Sequence, residues 1–254
     1  MNLLREKLAQ KKRLCGTNVN LIDPCLCEMM GHIGYDVIWI DMEHSYMSYE
    51  NMMAHLNGAR ATGMASLVRV PQHDLTATKK ILEMGPEAIL FPMVQTVEEA
   101  RELIAMTLYP PYGNRGFGPM RAIRYGADDA LEYTRKQSFE LCRFIQIESV
   151  DLIAHLDEVA EIPYVDGFIF GPNDLSGSAG DFMNVFGDKT VAQIKRATEI
   201  ARKHGKIIAL SGGADEQAVR FWSQFDFDIL FAGGDWIFAY SAGKQTLDYL
   251  QKHL

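Results

Sequence analysis

Eight short apolar runs recur along the chain, and after them come stretches whose apolar residues return at three- and four-residue intervals. Residues 14–19, 37–42, 66–71, 88–93, 143–148, 167–170, 206–210 and 228–232 are rich in β-branched and aromatic side chains and read as strands. Segments 49–62, 75–84, 97–107, 152–160, 191–204 and 216–224 carry helical spacing, and 237–254 reads as a final amphipathic helix. Alternation of this kind builds parallel sheets. It predicts an α/β fold, a (β/α)8 TIM barrel in a single domain over residues 1–254. An open doubly wound sheet uses the same alternation, but eight evenly spaced units favour closure.

A chain of 254 residues, 48% hydrophobic and 23% charged, has the length and core for one barrel. The first thirteen residues lack the apolar centre of a signal peptide, and no stretch of eighteen uncharged apolar residues follows, so a soluble cytoplasmic protein with no membrane partner is expected. A formal charge of -8 argues against a nucleic-acid partner and for a small-molecule one, which local arginines could hold if it is anionic. Cys15, Cys25, Cys27 and Cys142 lack zinc-site spacing and read as ordinary, mostly buried thiols. One connection, residues 109–126, is long and rich in Pro and Gly, carries Arg115, Arg121 and Arg124, and reads as a functional or interface loop.

The carboxyl ends of barrel strands form the active face, so polar residues there carry more weight. Asn18 and Asn20 follow the first strand, Asp41, Glu43 and His44 the second, and Arg69 lies near the end of the third. Gln95 follows the fourth, Gln146 and Glu148 end the fifth, and Asn173 and Asp174 follow the sixth. Glu148 and Asp174, on adjacent strands, can offer two carboxylates to one divalent cation, with water and substrate completing its shell. The alternative is that each caps a helix or turn. His44 stands three residues after Asp41, a spacing that lets a carboxylate orient an imidazole as a general base. Arg69, inside an apolar strand, needs an anionic partner, either substrate or an ion pair with Glu43 or Asp41. The pairs Gly212–Gly213 and Gly233–Gly234 read as tight turns rather than a phosphate cradle. Strands four to six contain no lysine, and Lys206 starts the seventh at the wrong end, so a Schiff-base route has no nucleophile and a metal is the expected electron sink.

The sequence resembles the HpcH/HpaI family of metal-dependent class II pyruvate aldolases along nearly its whole length. The matching pieces are Asp41–His44 (DMEH), Val68–Pro71 (VRVP), Phe91–Gln95 (FPMVQ), Arg115–Ala122 (RGFGPMRA), Gln146–Glu148 (QIE) and Gly171–Ser176 (GPNDLS). The resemblance implies a reversible cleavage of a 4-hydroxy-2-keto acid, such as a 2-keto-3-deoxy sugar acid or a 2,4-dihydroxyheptenedioate-like substrate, to pyruvate and an aldehyde. It implies Mg²⁺, Mn²⁺ or Co²⁺ on Glu148 and Asp174 with Gln146 beside them. Arg69 would stabilise the keto oxygen, and His44, oriented by Asp41, would move the aldol proton. Backbone around Gly171, Pro172, Asn173 and Asp174 would bind the pyruvate carboxylate, with Leu210 near the methyl group. A homo-oligomer, a hexamer exchanging its last helix, is also implied.

Three positions depart from that pattern. Glu83 stands where an aspartate reaching a neighbouring subunit's site is expected, Asn18 where some relatives have tryptophan beside the aldehyde, and Asn173 where alanine is frequent. Rival expectations on the same residues are a citramalyl- or malyl-CoA-type lyase, an oxaloacetate decarboxylase, and, last, a barrel that binds a keto acid without turnover.

Overall fold

In the computed structural model, which describes residues 2–254, eight parallel strands close in sequence order. They are β1 (Leu14–Val19), β2 (Val37–Asp41), β3 (Ala65–Arg69), β4 (Ala88–Phe91), β5 (Cys142–Ile147), β6 (Gly167–Phe170), β7 (Ile207–Gly212) and β8 (Ile229–Gly234). β8 pairs back onto β1, which excludes the open sheet. Around them run α1 (Leu3–Gln10), α2 (Pro24–Ile33), α3 (Tyr49–Ala61), α4 (Leu75–Glu83), α5 (Val97–Ala105), α6 (Ala130–Arg135), α7 (Val150–Ala154) and α8 (Leu156–Ala160). α9 (Pro172–Ser178), α10 (Asp188–Lys203), α11 (Glu216–Trp222) and α12 (Asp235–His253) complete the ring.

The strands are apolar on both faces because both faces are buried. Val37, Trp39, Leu67, Leu90, Phe144 and Phe231 belong to the cluster that fills the barrel. Their neighbours Ile38, Ile40, Val68, Ile89 and Ile145 belong to a second cluster against the helices. Trp39 meets Phe231 edge-on at 5.4 Å. A Cβ at Gly16 would fall 2.3 Å from the Phe231 ring, so β1 needs glycine there for the ring to lie across it. Truncating Trp39 to Ala would cost about 3–5 kcal/mol in lost packing.

Strands end where the chemistry of the next residue stops them. Pro71 and Pro92 supply no N–H for a ladder, so β3 and β4 finish before them, earlier than expected from the apolar runs. Four helices, α1, α2, α6 and α9, lie outside the segments expected to be helical. α1 opens on Asn2, whose side chain accepts the Leu4 and Arg5 N–H groups, and closes the amino end of the barrel with Leu4 fully buried. α2 opens on Asp23 with Pro24 in its first turn and stops at Gly34 in the left-handed region. Cys15 and Cys25 are exposed, so only Cys27 and Cys142 are the buried thiols expected. No helix among the described residues is long and apolar enough to cross a membrane. Past its first turn α12 is largely exposed, with Tyr240, Leu247, Tyr249 and Leu250 each at least half accessible.

Candidate active site

The inward strand rows that pack the barrel continue, at the carboxyl ends, into polar side chains. Asp41 pairs in register with Arg69 across β2 and β3, and Gln146 lies on the inward row of β5, with Glu148 just past that strand's end. Asp41, Arg69, Gln146 and Glu148 are all at least nine-tenths buried. They form one hydrogen-bonded chain. Arg69 donates to Asp41 from Nε to Oδ1 at 3.0 Å and from Nη2 to Oδ2 at 2.5 Å, and its Nη1 lies 2.9 Å from Glu43 Oε2. Gln146 Nε2 donates to Glu148 Oε1 at 2.7 Å, while its own Oε1 lies 3.5 Å from Arg69 Nη1. The guanidinium also lies over the Trp39 ring, 5.0 Å from its centroid. The ion-pair reading of Arg69 therefore holds, with both Asp41 and Glu43 as partners.

Burial raises the Asp41 pKa, but the hydrogen bonds and charge of Arg69 and the N–H groups of His44 and Glu43 outweigh it and leave the carboxyl below its ordinary value. Its contact with His44 differs from the expectation. Asp41 Oδ1 accepts the backbone N–H of His44 at 3.2 Å, whereas the imidazole is turned outward, its side chain 69% exposed, with Nε2 3.9 Å from Glu43 Oε2. Asp41 is committed to Arg69 and to the turn, so Glu43 is the carboxylate nearest the ring.

Glu148 behaves in the opposite way. Burial pushes its carboxyl up to about 7; the Met93 N–H, donating to Oε2 at 2.8 Å, opposes that, and the Asp174 charge adds to it. Met93 adopts φ 52 to aim that N–H, in a region side chains seldom occupy. Helix capping does not explain either acid: Ser149 caps α7, and α9 starts from Gly171 without a side-chain cap, placing the exposed Asp174 in its first turn. At Gly171 a Cβ would lie 2.9 Å from both Glu148 Oε1 and Gln146 Nε2, so only glycine lets β6 pass this close to the carboxylate. Two carboxylates, one buried against its charge, with a glycine cradle and all-oxygen donors, suit a hard divalent cation that keeps places for water and substrate.

A cleft of about 490 Å³ adjoins this chain of residues, lined by Asn18, Asn20, Arg69, Pro172, Asn173 and Trp236. Asn18 Oδ1 has no hydrogen-bond partner there. Two expected residues are elsewhere. Leu210 is fully buried in the outer, helix-facing cluster, because two-residue alternation sends Ala209 and Ser211 inward; Ser211 is the β7 side chain that reaches the cleft. Glu83 is the last residue of α4, at the amino end of the barrel, where its Oε1 sits beside Gly118. The sequence reading also missed Asp235, 2% exposed, which accepts the N–H groups of Asn20 at 3.1 Å and Leu21 at 2.9 Å. Asn20 in turn donates from Nδ2 to Asp41 Oδ2 at 3.0 Å, so the start of α12 is tied to the Asp41–Arg69 pair. An acid directly after Gly233–Gly234 is the signal that could have found it. His73 is half-buried, held between Glu99 and the Pro92 carbonyl.

Comparison with known proteins agrees with this geometry. Residues 15–234 match the model of the HpcH/HpaI aldolase/citrate lyase family. The chain is 34% identical over 236 residues to a hydroxypyruvate/pyruvate aldolase of Deinococcus radiodurans, covering 92% of this chain and 84% of that one. It is 32% identical over 222 residues to a protein of the same name from Chromohalobacter salexigens, covering 87% and 86%. The crystal structure of an HpcH/HpaI aldolase from Desulfitobacterium hafniense superposes with a TM-score of 0.91 at 25% identity, over 99% of this chain and 97% of that one. The fold and site define a barrel lyase, and the chain belongs to the HpcH/HpaI aldolase/citrate lyase family.

Proposed function

We propose that this protein is a divalent-metal-dependent aldolase that reversibly cleaves a 4-hydroxy-2-keto acid to pyruvate and an aldehyde. The carrying observation is the continuous chain Asp41–Arg69–Gln146–Glu148, which ends in a carboxyl pushed up to about 7 beside Asp174. Glu148 and Asp174 would hold the cation, Mg²⁺, Mn²⁺ or Co²⁺. When bound, it supplies Lewis acidity at the keto and carboxylate oxygens of pyruvate.

Arg69 is fixed on both sides by carboxylates, and its unengaged N–H groups would donate to the keto oxygen as negative charge builds there. Gln146 holds Glu148 in place and keeps its Oε1 toward Arg69. First-turn N–H groups of Asn173 and Asp174, following Gly171 and Pro172, would bind the pyruvate carboxylate. His44, free at the mouth, would take the hydroxyl proton in cleavage and return it in condensation. The aldehyde would occupy the cleft beside Asn18. A homo-oligomer, a hexamer by resemblance, would bring Glu83 of one subunit toward the mouth of the next and cover the exposed face of α12.

The test is pyruvate release from a 4-hydroxy-2-keto acid after metal loading, followed with lactate dehydrogenase. Wild-type turnover that disappears in both Glu148→Ala and Asp174→Ala supports the reading. Full metal-dependent turnover in either variant overturns the site assignment.

A further inference from the structure

The opposite end of the barrel holds a second cavity that the aldolase reading does not use. It encloses about 360 Å³ between the start of β3, the turn before β4 and the long loop that joins α5 to β5. Four arginines line it, Arg60, Arg115, Arg121 and Arg124, against two glutamates, Glu87 and Glu140. Glu87 is turned aside, accepting from the Ser66 N–H and hydroxyl. Arg124 pairs with Asp128.

The other three arginines form no ion pair with a carboxylate among the described residues, although Asp128 lies close enough to feel the charge of Arg60, and Glu87 that of Arg121. Arg115 is 2% exposed, yet its Nε has no acceptor. One Nη reaches only Tyr133 Oη, at 3.4 Å, while the plane lies over Tyr109, 4.6 Å from its centroid. Arg121 is 8% exposed and donates only to neutral oxygens, Asn57 Oδ1, the Met84 carbonyl and the Leu56 carbonyl. Arg60, exposed at the rim, adds a further positive charge. Guanidinium groups removed from water are expected to meet an anion, and their planar forks suit oxyanions.

We propose that this cavity binds a small oxyanion-bearing metabolite, through a phosphoryl or carboxylate group held between Arg60 and Arg115. Arg121 has a separate duty, since its bonds tie the loop to α3 and α4. The site lies at the amino face and shares no lining residue with the catalytic cleft.

The experiment is calorimetric titration of metal-free protein, in low-salt buffer, with inorganic phosphate and separately with succinate. At least one probe should bind, and the tighter one identifies the phosphoryl or the carboxylate source. Arg115→Gln should weaken binding about tenfold, the loss of a charged hydrogen-bond donor. Arg60→Glu, a rim change that leaves the core intact, should abolish it, and Arg69→Gln should leave it unchanged. No binding of either probe, binding indifferent to Arg60→Glu, or a loss confined to Arg69→Gln overturns the proposal.

Discussion

Replacing Glu148 by Gln should make the metal-free protein more stable at pH 8 while destroying its metal site. The folded-state pKa of Glu148 is raised, from 4.5 to about 7. A raised carboxyl contributes its full stability below the unfolded value and loses it as pH rises through the folded one. Unfolding free energy of the metal-free wild type therefore falls between about pH 4.5 and 7 on account of this group. The difference corresponds to about 3 kcal/mol above pH 8. Gln removes that cost but has one acceptor oxygen for two donors, Met93 N–H and Gln146 Nε2, and loses about 1 kcal/mol in hydrogen bonding. The net gain is about 2 kcal/mol at pH 8, or about 4–8 °C in Tm for a chain of this size. At pH 5 the wild-type carboxyl is protonated and the variant should be equal or slightly worse. Saturating metal should reverse the pH 8 order, adding about 2.7 kcal/mol to wild type alone at a hundredfold excess over Kd. Thermal melts with EDTA at pH 5 and pH 8, and with Mn²⁺ at pH 8, measure all three. A variant less stable than wild type at pH 8 in EDTA would refute the reasoning.

Three further outcomes are expected. Arg69→Lys offers one point charge where a planar fork meets Asp41 and Glu43, so kcat/KM should fall about a hundredfold or more, and steady-state turnover checks it. His44→Ala should cut aldol cleavage about 10²- to 10⁴-fold, yet leave oxaloacetate decarboxylation near wild type, because losing CO₂ needs no hydroxyl proton removed; parallel assays of both reactions separate the roles. Asp235→Ala strips the Asn20, Leu21 and Trp236 N–H groups of an acceptor and should cost about 2–4 kcal/mol in urea unfolding, with kcat lowered through Asn20 and Asp41.

Most of the barrel was legible because strands buried on both faces are written as unbroken apolar runs, and their spacing counts the units. The helices that escaped are α1 and α2, marked mainly by their caps, Asn2, and Asp23 with Pro24 and Gly34, and α6 and α9, too short at six and seven residues to show a helical period. At the site, Arg69, Gln146 and Glu148 could be placed by strand parity alone. Leu210 failed on the same parity, since a resemblance fixes a sequence position but the pleat decides which way the side chain points. The Asp41–His44 spacing allowed a carboxylate–imidazole contact, and Arg69 outcompeted the ring for the carboxylate because it offers two charged N–H groups in one plane. Asp235 had a local signal, an acid directly after Gly233–Gly234, but its role depends on β8 closing against β1, a contact between residues 215 apart in sequence.

The most direct test of the central claim is exchange of the pyruvate methyl protons with D₂O, followed by proton NMR, using EDTA-treated protein alone and with Mg²⁺, Mn²⁺ or Co²⁺ restored. The account predicts exchange only when a divalent cation is present, lost in Glu148→Ala. Exchange independent of metal, or none with any of the three, would contradict it.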